Sequence, residues 1–212
     1  VTLEPTTNVV TVETGAAPQE GPEPQRDITV NIAGSLNSEM GCAGDWSADC
    51  ADAVLTQQVG SVFSQTFTLP AGSYEYKVTI DGSWDENYGL DRTVGSGNIP
   101  LVLTEETAVT FVYDDASHFV DAIYAGGPSR IAVIAGTIQD QLGCAGVWDP
   151  KCLGSWLQNH DRGSQVYVLQ TNRLKKGSYS AKAALDLDWA ESYPGSDLSF
   201  TVPKDYATMN FR

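Results

Sequence analysis

Five consecutive residues place aromatic rings beside hydrogen-bonding groups: Trp84, Asp85, Glu86, Asn87 and Tyr88. Pyranose rings expose apolar faces that pack on Trp or Tyr, while carboxylates and amides hydrogen-bond to sugar hydroxyls. The stretch is therefore a candidate glycan contact. The alternative is a tight turn whose Trp and Tyr close one end of a β-sandwich core, and the sequence leaves both interpretations open.

The stretch occurs a second time, about 105 residues later, with its aromatic residues but without its polar ones. Trp189 and Tyr193 repeat the aromatic pair. Ala190, Ser192 and Pro194 stand where the first copy has Asp, Asn and Gly. A hydrophobic core would keep the aromatics, whereas a ligand would need the polar groups, so the second copy favours the core interpretation.

The sequence contains no recognisable catalytic constellation. Residues 114–118, Asp-Asp-Ala-Ser-His, bring Ser, His and Asp together. Neighbours in a turn point in different directions and lack an oxyanion hole, so this is not a triad. A nucleophile elbow, a Gly-rich phosphate loop and a metal-ligand cluster are all missing from the sequence. We therefore expect a protein that is not an enzyme and carries no cofactor or metal.

Four cysteines form two Cys-x7-Cys pairs, Cys42 with Cys50 and Cys144 with Cys152. Four cysteines permit three pairings, and the repeat favours the two within-copy disulfides. Two such disulfides imply an oxidising location, either extracellular or at the cell surface. One Trp lies inside each loop, at positions 46 and 148. We expect these rings to pack against the cystines, with ligand stacking as the alternative.

Composition restricts the class of partner. The 212 residues suffice for two domains of about 100 residues each. The formal net charge of −15 argues against nucleic acid, whose binding needs clustered Lys and Arg. No apolar run approaches the length needed to span a bilayer, so we expect no membrane span.

The sequence contains two copies of one β-domain. Residues 41–46 and 143–148 share the pattern Gly-Cys-Ala-Gly-x-Trp. Around them lie short runs with period-2 alternation, bounded by Gly, Pro, Asn or Asp. This pattern predicts an all-β protein of two tandem immunoglobulin-like sandwiches. The expected boundaries are an N-terminal strand and Pro/Gly-rich tether at 1–26, repeat one at 27–125 and repeat two at 130–212.

Repeat two lacks the last strand of repeat one. Repeat one ends with strand-like runs at 109–113 and 119–124, whereas repeat two has only the run at 208–211. The missing strand would leave an open acceptor edge, formed by Thr208, Met209, Asn210 and Phe211. A spare strand-like run precedes the tether and could supply the missing strand. This donor strand is Val9, Val10, Thr11 and Val12.

Donation of that strand to the next subunit would build a head-to-tail polymer. We therefore expect a structural subunit of an extracellular filament or pilus-like polymer, with further copies of itself as partner. The alternative within the same pattern is a closed monomer, in which the strand folds back into its own repeat two.

Several segments of repeat one are similar to a known family. They are Gly41-Cys42-Ala43-Gly44-Asp45-Trp46, the run from Phe67 to Val78, Gly82-Ser83-Trp84-Asp85-Glu86-Asn87-Tyr88-Gly89, and Asn98-Ile99-Pro100-Leu101. Together they resemble the accessory β-sandwich module of bacterial pullulanases, and repeat two resembles it more weakly. The resemblance implies a sandwich fold and α-glucan as partner. It supports a second functional hypothesis, a tandem starch-binding module of a secreted pullulanase-type enzyme.

Overall fold

A computed structural model describes residues 9–18, 25–162, 164 and 166–212. This part of the chain contains β-strands and four short 3-10 helices but no α-helix. Contacts divide the chain into two compact units. The repeat-one unit is residues 25–130, and the repeat-two unit is residues 131–212 together with the N-terminal strand. The prediction of two tandem all-β sandwiches is confirmed.

The strands have the following bounds in chain order: β1 (Val12–Pro18), β2 (Val30–Gly34), β3 (Val54–Val59), β4 (Val62–Leu69), β5 (Gly72–Ile80), β6 (Ser83–Tyr88), β7 (Ile99–Leu103), β8 (Thr107–Asp114), β9 (Phe119–Ile123), β10 (Ala132–Gly136), β11 (Trp156–Leu157), β12 (Leu169–Thr171), β13 (Gly177–Leu185), β14 (Ser192–Val202) and β15 (Ala207–Phe211).

The repeat-one unit is built from two antiparallel layers that share β3. One layer contains β6 and β7, both paired with β5, followed by β2 and β3; the other continues from β3 through β4 and β8 to β9. Alternate residues of β7 and β8 point inward, so Leu101, Val109 and Phe111 are buried. Tyr76 meets Phe111 edge to face at 5.0 Å between ring centroids. These side chains form a continuous apolar core between the layers.

The repeat-two unit also has two antiparallel layers. One has the strand order β11-β10-β13-β14, and the other has the order β1-β15-β12. Its core includes Ile134, Leu174, Met209 and Phe211, all buried. The side chains of Val10 and Val12 pack against this core.

Strand β1 occupies in repeat two the place that β9 occupies in repeat one. Val12 pairs with Phe211, as Ala122 pairs with Phe111 in repeat one. The pairing extends beyond the strand, because Thr11 and Arg212 exchange two backbone hydrogen bonds of 2.8 and 3.0 Å. The spare strand therefore closes repeat two of its own chain, and the predicted acceptor edge is paired within the molecule.

Some strand boundaries differ from those expected from the sequence. The donor strand was expected at residues 9–12, but β1 begins at Val12 and continues to Pro18, into the stretch expected to be a tether. A 3-10 turn at Ala51–Ala53 leads directly into β3, a strand that the sequence pattern does not indicate. The exposed Thr56, Gln57 and Gln58 of β3 hide its strand character, because they lack the alternation of a half-buried strand.

Candidate functional site

Two tryptophans form an exposed aromatic pad in the repeat-one unit. Trp46 lies in the disulfide loop and Trp84 near the start of β6, with ring centroids 6.2 Å apart and ring planes tilted by 40°. Trp84 keeps 41% of its surface exposed, whereas Trp46 is half-buried. The contact with Trp84 holds Trp46 near the surface. We call Trp46 and Trp84 the repeat-one pad.

The repeat-two unit holds the same arrangement, which we call the repeat-two pad. Trp148 of its disulfide loop lies 6.4 Å from Trp189, again with a 40° tilt. Trp189 is 40% exposed. The two copies have thus kept the same pair geometry and the same exposure. A ring that only filled a sandwich end would be buried, so both exposed tryptophans are free to contact a ligand.

A tight hairpin presents the exposed tryptophan of each pad. Both central turn residues have positive φ in each copy: Asp81 and Gly82 at 52° and 66°, and Asp186 and Leu187 at 53° and 58°. This combination defines the hairpin turn whose twist matches that of the flanking strands. A side chain also caps the turn in each copy. The residue before the tryptophan accepts, through its side-chain oxygen, a hydrogen bond from the backbone N–H of the residue after the tryptophan.

The disulfide loop presents the second tryptophan of each pad. Disulfides join Cys42 to Cys50 and Cys144 to Cys152, and the tryptophan at the centre of each loop has φ of 59°. Positive φ is uncommon for a bulky residue and persists only where surrounding contacts enforce it. No local sequence signal indicates that each loop tryptophan contacts the hairpin tryptophan, although both recur together in the repeat.

The structure separates the five residues of the candidate glycan contact. Trp84 and Asp85 are exposed, whereas Asn87 and Tyr88 are buried and Glu86 is half-buried. The Asn87 amide donates to the Trp84 carbonyl at 2.7 Å and its oxygen accepts from the Lys77 ammonium at 2.7 Å. Asn87 thus supports the hairpin from inside, and burial lowers the pKa of Lys77.

A partly exposed polar and aromatic cluster surrounds Glu86, two residues after Trp84. The Arg26 guanidinium donates two hydrogen bonds to Glu86, at 2.7 and 2.9 Å. The Tyr88 hydroxyl also donates to Glu86 at 2.9 Å, and its ring stacks on His118 at 4.0 Å. Burial and the bond to Glu86 raise the pKa of Tyr88 to about 12. Burial also raises the pKa of Tyr113, whose hydroxyl lies 3.2 Å from His118 Nδ1.

We expect acid to weaken the repeat-one unit through Glu86. Its hydrogen bonds with Arg26 hold the pKa of the folded carboxyl below the ordinary value of 4.5. The ion pair therefore contributes fully above that pH, and its contribution is lost as pH falls through the lower folded pKa. Urea unfolding between about pH 7 and about pH 3 should show this loss in the wild type and a shallower pH dependence in Glu86→Gln.

Glu105→Gln, at an exposed turn, is the matched control and should keep the wild-type pH profile. An unchanged profile in Glu86→Gln would show that this ion pair does not contribute.

Other chemistry finds little support. Over the described ranges, no three His, Cys, Asp or Glu side chains converge as a metal site would require. No helix in this part of the chain is long and apolar enough to cross a membrane. A groove of about 400 Å³ lies in the repeat-two unit, lined in part by Glu13, His160, Asp161 and Arg212.

The fold and the pads define a class of protein built from tandem all-β sandwich modules that each display an aromatic surface. Sequence comparison agrees with this description: the family profile of the pullulanase X25 domain matches residues 29–120 and again residues 131–212. The chain belongs to this family, as two copies in tandem. The resemblance to an accessory pullulanase module is thereby confirmed.

Similar proteins include enzymes much longer than this chain. An amylopullulanase of Thermoanaerobacterium thermosulfurigenes is 34% identical over 100 residues, which is 47% of this chain and 5% of that protein. An amylopullulanase of Thermoanaerobacter thermohydrosulfuricus is 36% identical over 93 residues, 43% of this chain and 6% of that protein. The pullulanase structure from Bacillus acidopullulyticus aligns with 90% of this chain and 31% of its own, at 15% identity and a TM-score of 0.41.

These comparisons overturn the filament hypothesis. Both repeats match a pullulanase domain family, and the relatives are named as amylopullulanases rather than as polymer subunits. The prediction of a pilus-like polymer assembled by strand donation is wrong, and the expected self-association has no support. The physical reason is that β1 pairs with β15 of the same chain, so repeat two keeps no vacant edge on that side of β15.

Proposed function

We propose that the chain is a non-catalytic α-glucan-binding module with one aromatic pad in each sandwich. The observation that carries the proposal is the tilted tryptophan pair, with one exposed and one half-buried indole, found in both repeats. An indole face packs on the apolar face of a pyranose ring, and two adjacent rings contact successive sugars of one chain. Membership of the pullulanase X25 domain family supports an α-linked glucan as the ligand.

The tilt of the two indoles also favours an α-linked chain. Rings inclined at 40° form an angled surface rather than a flat one. An α-1,4-glucan is helical, so successive glucose rings turn relative to one another and present an angled surface in return. A β-1,4-glucan is a flat ribbon and would contact only one indole well. We therefore expect maltooligosaccharides to bind more tightly than cellooligosaccharides of equal length.

The two pads differ in the polar group beside the exposed tryptophan. Asp85 follows Trp84 and is exposed, so its carboxylate is available to accept hydrogen bonds from sugar hydroxyls. Ala190 follows Trp189 and offers no such group. Charge-assisted hydrogen bonds add to stacking and fix orientation. The repeat-one pad should accordingly be the tighter of the two.

We expect Trp84→Ala to weaken binding of maltoheptaose about tenfold, because an aromatic stacking contact is worth about 0.5–1.5 kcal/mol beyond the area that it buries, and about 1.4 kcal/mol is a tenfold change in affinity. Trp189→Ala should weaken it less, and the double variant should abolish measurable binding. Isothermal titration calorimetry with maltoheptaose, and affinity electrophoresis in gels containing pullulan, would measure these effects.

Val102→Ala is the matched control, since Val102 is an exposed apolar residue of β7 outside the pad. Maltohexaose and cellohexaose give the comparison of the α and β linkages at equal length. Wild-type affinity in the double tryptophan variant, or equal affinity for both sugars, would contradict the proposal.

Two coarser properties of the protein are expected as well. Catalysis would reside elsewhere in a longer protein of the kind represented by the relatives, and this chain would hold the polysaccharide. The two disulfides support an extracellular location, because such bonds persist in oxidising surroundings.

A further inference from the structure

A fully buried side-chain amide holds the loop tryptophan of the repeat-one pad. The Asn37 Oδ1 accepts the N–H of Gly34 at 2.8 Å and the N–H of Ser47 at 3.2 Å. Its Nδ2 donates to the Ile32 carbonyl at 2.8 Å. The Gly34 carbonyl in turn accepts the N–H of Trp46 at 2.9 Å. The amide therefore ties the end of β2 to the residue that follows Trp46.

A different amide makes the corresponding bonds in the repeat-two pad. Gln139 is also fully buried, and its Oε1 accepts the N–H of Gly136 at 3.3 Å and of Asp149 at 2.8 Å. The Gly136 carbonyl lies 3.5 Å from the N–H of Trp148, which donates to it. In both repeats the amide oxygen thus accepts two backbone N–H groups, one from the glycine that ends the strand and one from the residue after the loop tryptophan.

A second substitution accommodates the longer Gln side chain. The Gln139 Nε2 donates to the Asp149 carbonyl at 2.7 Å and to the Ser155 hydroxyl at 3.1 Å. Ser155 is fully buried, and repeat one has the equally buried Ala53 at that position. Since Asn37 donates elsewhere, it needs no hydroxyl there. Repeat one therefore combines Asn37 with Ala53, and repeat two combines Gln139 with Ser155. Both combinations leave the buried amide N–H groups with an acceptor.

We propose that Asn37 and Gln139 are positioning residues that set the geometry of the two aromatic pads. Each amide bonds the peptide after a tryptophan with positive φ directly, and it bonds the strand glycine whose carbonyl accepts the tryptophan N–H. This arrangement fixes the direction in which the indole leaves the loop. Preservation of a 40° tilt in both copies, despite different amides, follows from the shared pair of accepted hydrogen bonds. The consequence for sugar binding rests on the proposed function, whereas the geometric role does not.

The test uses the full chain in a Trp189→Ala background, so that only Trp46 and Trp84 remain as a coupled pad. Two indoles about 6 Å apart couple their transitions and give a circular-dichroism couplet, which reports their mutual orientation without any ligand. Asn37→Ala should reduce the couplet by about half or more. Affinity for maltoheptaose should fall on the order of tenfold, because a stacking site needs both rings held in place.

A second pair of variants removes the ambiguity of a misfolded alanine variant. Asn37→Gln alone places an extra methylene and an unpaired N–H in a closed site, and should reduce the couplet. Asn37→Gln with Ala53→Ser reproduces the repeat-two arrangement and should restore much of the couplet and the affinity. A residue with a purely structural role would change the unfolding midpoint without this coupled recovery.

A couplet that stays at its original amplitude in Asn37→Ala and in Asn37→Gln would overturn the positioning role. The same holds if Ala53→Ser gives no recovery. If the couplet falls and recovers as expected but the unsubstituted protein does not bind maltoheptaose, the positioning role stands and the proposed function fails.

Discussion

Gly34→Ala is expected to destabilise the repeat-one unit by about 3 kcal/mol. A Cβ at this position would lie 2.3 Å from the Glu75 carbonyl oxygen and 2.9 Å from the Cα of Tyr76. Both atoms belong to the backbone of β5, so no side-chain rotation relieves the overlap. Because the Gly34 carbonyl also holds Trp46, affinity for maltoheptaose should fall together with stability.

Gly136→Ala should have the same effect on the repeat-two unit, since its Cβ would lie 2.2 Å from the Ser180 carbonyl oxygen. Gly44→Ala is the matched control: it is also next to a pad, yet an added Cβ meets nothing within 4 Å. Urea unfolding followed by tryptophan fluorescence would measure all three. Wild-type stability in Gly34→Ala would show that β2 and β5 separate easily, contrary to the tight packing described above.

Val12→Asp is expected to destabilise the repeat-two unit by about 2–3 kcal/mol while leaving the repeat-one unit unchanged. Val12 pairs with Phe211 and packs against the repeat-two core, so the substitution puts a carboxylate against apolar side chains. Each unit has a core of its own, so calorimetry should show one transition lowered and the other kept.

Glu13→Gln is the control for this experiment, because Glu13 lies on the same strand with an exposed side chain. Equal lowering of both transitions in Val12→Asp would contradict closure of repeat two alone by β1. A wild-type profile would mean that β1 contributes nothing to the stability of that unit.

The repeat pattern was sufficient to predict the sandwich class, because apolar and polar residues alternate along the sequence of β5 and buried and exposed positions alternate in β7. It failed where strands are short or polar. Thr56, Gln57 and Gln58 of β3 face solvent, and no local signal distinguishes them from a loop. The partner of β1 could not be predicted from the sequence either. A spare strand and an unpaired edge have the same sequence pattern whether the strand pairs within its own chain or with a second chain.

The pads illustrate the same limit at the level of a site. The sequence singled out Trp84 and Asp85, and it suggested that aromatics preserved by duplication belong to a core. That inference applies to Tyr88, which is buried, but Trp84 is exposed. The alternation pattern does not show which of the two rings is buried, because the pairing of β5 with β6 shifts register between residues 79 and 80. The contact of Trp46 with Trp84 depends on tertiary structure and has no sequence signal.

Closure of repeat two by β1 has a consequence for the order of folding. Thr11 and Arg212 bond across 201 positions, so the whole of repeat one is an insertion between two strands that must meet. A growing chain presents β1 first, and that strand must remain unpaired until β15 is made. Repeat one, which forms a compact unit of residues 25–130 with a core of its own, is free to fold during this interval. Its folding shortens the effective loop and lowers the entropic cost of joining the two ends.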